Sequence, residues 1–278
     1  MTENRTEKNF TGIFDSHAHY TDPVYHGILD AVLEKVQNAG ISRILLASVS
    51  TSDSEAACLL AARYPFLYAS VGVHPLERVP SADGIPLHTT DTLRALAEKY
   101  AVTAIGEIGL DYRYAKKNAV EISRQKDLFD AQLSLCEELH LPALVHSIDA
   151  AADTMDLLRS HSDVTGVMHG FCYSPEIAEQ CLKLGWRIGI GTTLLNPKAR
   201  RIREVLQMLP TDSILLESDC PFQPKDPAYG QPSDSSVLTD VAYEISRVRN
   251  EDPQYLTDRL TSNTLALLTP DPNKESLS

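Results

Sequence analysis

No apolar run in this chain approaches the roughly 18–20 residues needed to cross a bilayer. The opening MTENRTEKNF also lacks the apolar stretch of a secretion signal, so a cytoplasmic location is expected. The cysteines Cys58, Cys136, Cys172, Cys181 and Cys220 are odd in number and contain no C-x-x-C pair. They fit reduced thiols better than a disulfide framework or a zinc knuckle. Basic residues are in deficit, with 25 Lys and Arg against 38 Asp and Glu, for a formal net charge of -13. That balance argues against tight, non-specific nucleic-acid binding, which calls for a basic stripe and a high pI. It leaves room for chemistry on a phosphodiester, because a bound divalent metal would reverse the local sign. Low-complexity tracts, short repeats and long Pro/Ser/Gly linkers are missing too, and nothing divides the 278 residues into two domains.

What the chain does have is a recurring unit: a short apolar or β-branched run followed by a stretch with helical spacing. The runs are GIFDSH (12–17), RILLAS (43–48), FLYASVG (66–72), VTAIGEIG (102–109), PALVHS (142–147), GVMHG (166–170), WRIGIG (186–191) and SILLES (213–218). Among the helical stretches, 119–140 carries Val120, Leu128, Ala131, Leu135 and Leu139 at spacings that keep one face apolar. Thr51-Ser52-Asp53-Ser54-Glu55 and Ser174-Pro175-Glu176 read as helix starts, each with a capping residue and an early acid. Strands alternating with helices imply a parallel sheet with helical crossovers. Eight units at this length predict an α/β protein of the (β/α)8 TIM-barrel class. The expected boundaries are a polar segment 1–11, a barrel domain 12–270 and a polar tail 271–278.

In such a barrel the chemistry sits at the C-terminal strand ends. Five of the nine histidines fall there: His17, His19, His74, His146 and His169. Glu107 ends the fourth run, and Glu217-Ser218-Asp219 ends the eighth. Side chains two apart on a strand share a face, so Asp15, His17 and His19 are expected to point the same way. A lone strand-end histidine is ordinarily just a hydrogen-bonded residue, and an acid there ordinarily caps a turn. Imidazoles and carboxylates converging from several strands suit Zn²⁺, Mn²⁺, Ni²⁺ or Mg²⁺ instead. A single carboxylate can bridge two such ions, and Glu107, central in the strand order, is placed for that role. The chemistry that follows is metal-assisted hydrolysis. A purely structural metal is the competing reading; five or six ligands over two ions, with positions left open, disfavour it.

At these residues the chain resembles the TatD family of metal-dependent deoxyribonucleases, within the amidohydrolase-like barrels. The matching blocks are FDSHAHY (14–20), SVGVHP (70–75), AIGEIGLDY (104–112), PALVHSIDAA (142–151), VMHGFCYS (167–174) and LLESDCPF (215–222), with LTSNTLALL (260–268) resembling the last helix. The resemblance implies two divalent ions. His17 and His19 would bind one with Asp219, Glu107 would bridge, and His146 and His169 would bind the other. It further implies that Asp219 serves as the base for the attacking water and that His74 lies beside a substrate phosphate. Asp15 would support the site by holding a histidine tautomer or the strand end. The implied substrate is DNA, at strand ends or in single strands, bound transiently by a monomer. Two departures bear on substrate. Ile148 stands where many members have Arg, and AYGQPSDSS (228–236) replaces an Arg/Asn-Glu-Pro stretch. A related hydrolase of a small ester, amide or phosphoester is the alternative. Compensating groups are Tyr112 and Arg113, with Tyr114, Lys116 and Lys117 after the fourth run, and Lys198, Arg200, Arg201 and Arg203 after the seventh. The tyrosines could stack on an unpaired base or merely pack a loop. The cations could steer a nucleic-acid end or simply face solvent.

Overall fold

All eight apolar runs become strands. The computed structural model describes residues 10–77, 87–115, 118–222 and 232–268. In chain order the elements are β1 (Ile13–Ala18), α1 (Leu29–Asn38), β2 (Ile41–Leu46), α2 (Thr51–Arg63), β3 (Leu67–Val71), α3 (Leu87–Lys99), β4 (Val102–Asp111), α4 (Tyr112–Ala115) and α5 (Ala119–Leu139). There follow β5 (Ala143–Ile148), α6 (Ala151–Ser160), β6 (Gly166–Met168), α7 (Pro175–Lys183), β7 (Arg187–Ile190), α8 (Arg200–Met208), β8 (Ile214–Leu216), α9 (Leu238–Arg249) and α10 (Pro253–Leu268). The strands pair in parallel in sequential order from β1 to β8. Backbone bonds from Asp219 N–H to the His17 carbonyl (2.9 Å) and from His19 N–H to the Cys220 carbonyl (2.8 Å) then bring the β8 end against β1. This is the (β/α)8 barrel expected from the alternation of runs.

Local chemistry explains the boundaries. Helix α2 starts where Ser50 accepts the Asp53 N–H at 3.1 Å, and Asp53 in return accepts the Val49 N–H at 2.8 Å. Asn118 caps α5, and His140 closes that helix in the left-handed region at φ 52°. The buried face of α5 differs from the expected stripe. Gln125, Leu128, Phe129, Gln132, Leu133, Leu135 and Cys136 are buried, whereas Val120 is 80% exposed. Val120 lies in the first turn, ahead of the part that packs on the barrel. Gln132 lies on the buried face because its amide bonds both the N–H and the carbonyl of Val73.

Inside the barrel, Phe14, Leu45, Ala104, Leu144, Val167 and Leu215 form one apolar cluster that Leu267 and Leu268 of α10 join. Helix α10 is tied to the strand starts: Phe14 N–H donates to Thr261 Oγ1, and Asn263 donates to the Ile214 carbonyl. Residues 10 and 11 also dock on the body, with Phe10 buried and Thr11 bonded to Gln254. Residues 1–9 and 269–278, which take in most of the expected segment 1–11, the last two residues of the expected domain and all of the expected tail 271–278, lie outside the described residues. No helix among the described residues is long and apolar enough to cross a membrane.

Candidate metal centre

The side chains singled out in the sequence converge on the C-terminal mouth of the barrel. His17 comes from β1 and His19 from just past it; His146 comes from β5, and His169 and Asp219 follow β6 and β8. Glu107 does not end its strand. β4 runs on to Asp111, with a register shift between Gly106 and Ile108. The carboxylate stands at the centre because its backbone is held there: Glu107 N–H donates to the Ser48 carbonyl at 2.7 Å, and Ser70 Oγ donates to the Gly106 carbonyl at 2.6 Å. Two glycines make room. A β-carbon on Gly109, at φ 137°, would collide with the His146 carbonyl oxygen, and one on Gly189 would collide with the Glu217 carboxylate.

The two oxygens of Glu107 face different partners. Oε2 lies 3.4 Å from His17 Nε2 and 3.7 Å from His19 Nε2. Oε1 lies 2.9 Å from His146 Nδ1, 3.7 Å from His74 Nε2 and 3.8 Å from His169 Nε2. Asp219 Oδ1 is 3.3 Å from His19 Nε2 and 3.9 Å from His169 Nε2, and the rings of His17 and His169 stack at 3.5 Å. Three groups of donor atoms result: His17, His19 and Glu107; His17, His169 and Asp219; and His74, Glu107 and His146. All six side chains expected as ligands are therefore in one cluster. His74, expected as a substrate contact, sits among the donors.

Burial and charge set the protonation states. Burial holds the His17 imidazole below its ordinary value, helped by the neighbouring His169, and burial pushes His74 down to about 4. For His146 and His169 burial also acts downward, but the carboxylates win. Asp111 and Glu107 raise His146 to about 9, and Glu217 and Asp219 raise His169 to about 10. Glu107 and Asp219 stay below the usual carboxylate range despite burial, because imidazoles surround them. Neither ring nitrogen of His17 has a hydrogen-bond partner among the described residues, although both are buried. Buried, unpartnered imidazole nitrogens beside two ionised carboxylates are a donor set suited to a divalent cation.

Asp15 is buried without touching an imidazole. Its oxygens accept from the N–H groups of His17 and Ser218, and from the hydroxyls of Ser218 and Ser235 at 2.6 Å each. It holds the strand end, not a tautomer. Ser235, in the described part of the divergent 228–236 stretch, is further anchored to Tyr20 Oη at 2.8 Å. The orienting carboxylates are others. Glu217 Oε2 is 3.1 Å from His169 Nδ1, while its Oε1 accepts the Gly170 N–H; Asp111 Oδ2 is 3.2 Å from His146 Nε2. Asp111 and Ser48 were not expected to support the site. For Asp111 a signal was available: it follows Glu107 by four residues in a run that stays strand-like.

The outer expectations fare unevenly. The Tyr112 hydroxyl donates to Asp153 at 2.5 Å and its ring packs on the core, so it is a loop-packing residue. Arg113 is exposed, with Asp149 4.0 Å away. Tyr114 is 63% exposed. Arg203 is tied to Glu244 and to the Leu194 carbonyl, and Arg201 reaches the Cys172 carbonyl. Lys198 and Arg200 face solvent, and Lys116 and Lys117 lie outside the described residues.

A parallel eight-stranded barrel with imidazoles and carboxylates gathered at its C-terminal mouth belongs to the metal-dependent hydrolase class. Within that class, the sequence model described as TatD related DNase matches residues 14–269, and the chain belongs to that family. Among its relatives is a protein of Escherichia coli K12 described as the uncharacterized metal-dependent hydrolase YjjV. It is 33% identical, over 91% of this chain and 96% of its own. The 3'-5' ssDNA/RNA exonuclease TatD of Dickeya dadantii is 31% identical over 93% of this chain and 98% of its own. The crystal structure of YjjV, a TatD homolog of Escherichia coli, superposes with a TM-score of 0.83 at 30% identity, covering 93% of this chain and 98% of that one.

Proposed function

We propose that this hydrolase is a two-metal phosphodiesterase that trims single-stranded DNA from an end. The observation that carries the reading is the position of Glu107, whose two oxygens face two different sets of imidazoles, as a bridge between two cations requires. His17 and His19 would hold one ion with Asp219, and His146 and His169 would hold the second, with His74 close enough to Glu107 to share it or to meet a substrate phosphate. Mg²⁺, Mn²⁺, Zn²⁺ or Ni²⁺ all suit nitrogen and carboxylate donors. Cations bound there would polarise a phosphoryl oxygen and lower the pKa of a water. Asp219 orients the attacking water and accepts its proton. Its side chain is ionised and 20% exposed, and it borders a cavity of about 50 Å³ beside His169 and Thr192, room for a few water molecules. Glu217 and Asp111 hold the rings of His169 and His146 in register. Arg113 at the rim contacts the strand backbone. Strand polarity follows the relatives described as 3'-5' exonucleases. The five free cysteines support work in a reducing compartment such as the cytoplasm, and a monomer suffices for the site.

The test is a 5′-labelled single strand offered to the purified, metal-analysed protein with Mg²⁺ or Mn²⁺. Stepwise shortening by wild type that disappears in Glu107→Ala and in Asp219→Ala supports the reading. A metal-loaded wild type that leaves the strand intact overturns it in favour of a small ester, amide or phosphoester substrate.

A further inference from the structure

We propose that Phe222 is a stacking platform for a nucleobase next to the scissile phosphate; this rests on the nuclease reading above. Phe222 is 56% exposed, yet its ring stands against the centre, 5.1 Å from the His19 ring at an interplanar angle of 64°. It is placed by the turn that carries Asp219: the Phe222 N–H donates to the Asp219 carbonyl at 2.9 Å, and Pro221 between them restricts the backbone. Cys220 in the same turn is buried, and its N–H donates to Ser218 Oγ. The turn is thus anchored below while the aromatic ring stays above.

One exposed aromatic residue is ordinary on a protein surface. Position is what distinguishes this one. More than half of the residue is open to solvent, and its ring meets a histidine of the donor cluster edge to face, so a phosphodiester seated at that cluster puts the neighbouring base within reach of the ring. Stacking is tolerant of base identity because every base has a π-face, which suits an enzyme that must process any sequence. It also supplies affinity without positive charge, on a chain with a formal net charge of -13. Tyr112, one of the two tyrosines the sequence offers for this role, has its hydroxyl committed to Asp153.

The experiment compares kcat/KM for oligonucleotides that are intact, or abasic at the last, last-but-one or a distant internal position. Wild type should prefer the intact strand over the end-abasic ones by about tenfold, with no penalty for the internal lesion. Phe222→Ala should erase that preference, and Phe222→Tyr should retain it. A general loss of turnover through a disturbed Asp219 turn would lower all substrates together and leave the ratio unchanged. Wild type that cuts intact and end-abasic strands equally well, or a preference that survives in Phe222→Ala, overturns the proposal while sparing the nuclease reading. Wild type that cuts no strand at all overturns that reading and this proposal with it.

Discussion

Glu217 and Asp111 each engage an imidazole of the cluster and so control the donors without being the expected ligands. Replacing such a partner typically costs 10–100-fold in metal affinity or activity. Glu217→Gln should therefore lower metal affinity by about that factor while leaving the fold intact. Titration of the metal-free variant followed by calorimetry would show it, and unchanged affinity would contradict the role. The raised His146 and His169 carry a second consequence. In the metal-free centre, with values of about 9 and about 10, both are protonated at neutral pH. A metal ligand must be neutral, so binding has to displace those protons. Metal addition in weak buffer at neutral pH should release acid, and apparent affinity should rise as pH is raised. Loading without proton release would show that these rings are not ligands. The nine histidines were legible as a biased set, but not which carboxylate oxygen each would face.

At the level of elements, one buried carboxylate braces the join that backbone bonds make between β1 and β8. Asp15 accepts four hydrogen bonds from β1, the β8 turn and Ser235. Asp15→Ala strands those buried donors, each costing about 1–3 kcal/mol. A loss of at least about 2 kcal/mol is expected in denaturant unfolding, with a smaller loss for Ser235→Ala. Stability equal to wild type in both would refute that bracing. The strands themselves were readable because apolar runs between helical stretches are a local property. Their ends were less so. β4 extends to Asp111 because pairing with β5 continues through Ile148, a tertiary fact that the run VTAIGEIG does not contain. In α5 the interior Gln125 and Gln132 could not be foreseen, since their amides are satisfied by backbone of β4 and of the β3 loop.

Across the whole molecule, two quantities should respond to simple perturbation. Leu215 is buried in the barrel interior with Phe14, Leu144 and Leu267, so Leu215→Ala should cost about 2–5 kcal/mol in equilibrium unfolding. An acidic enzyme making few phosphate contacts should show kcat/KM falling with added salt, with a shallow slope compared with a basic DNA-binding protein. A steep slope would point to an extended cationic surface that the exposed Arg113, Lys198 and Arg200 do not provide. By itself the sequence determined the barrel, its strand order and the chemistry of its rim. Those depend on residue type and on periods of 2 and 3.6, which survive without knowledge of distant contacts. Only the tertiary structure decided that Asp15 joins strands, that Glu217 and Asp111 engage imidazoles, that His74 sits among the donors and that Phe222 stands beside His19. Each of those pairings joins residues distant in sequence, and distances of 3–5 Å between strand ends exist only once the barrel has closed.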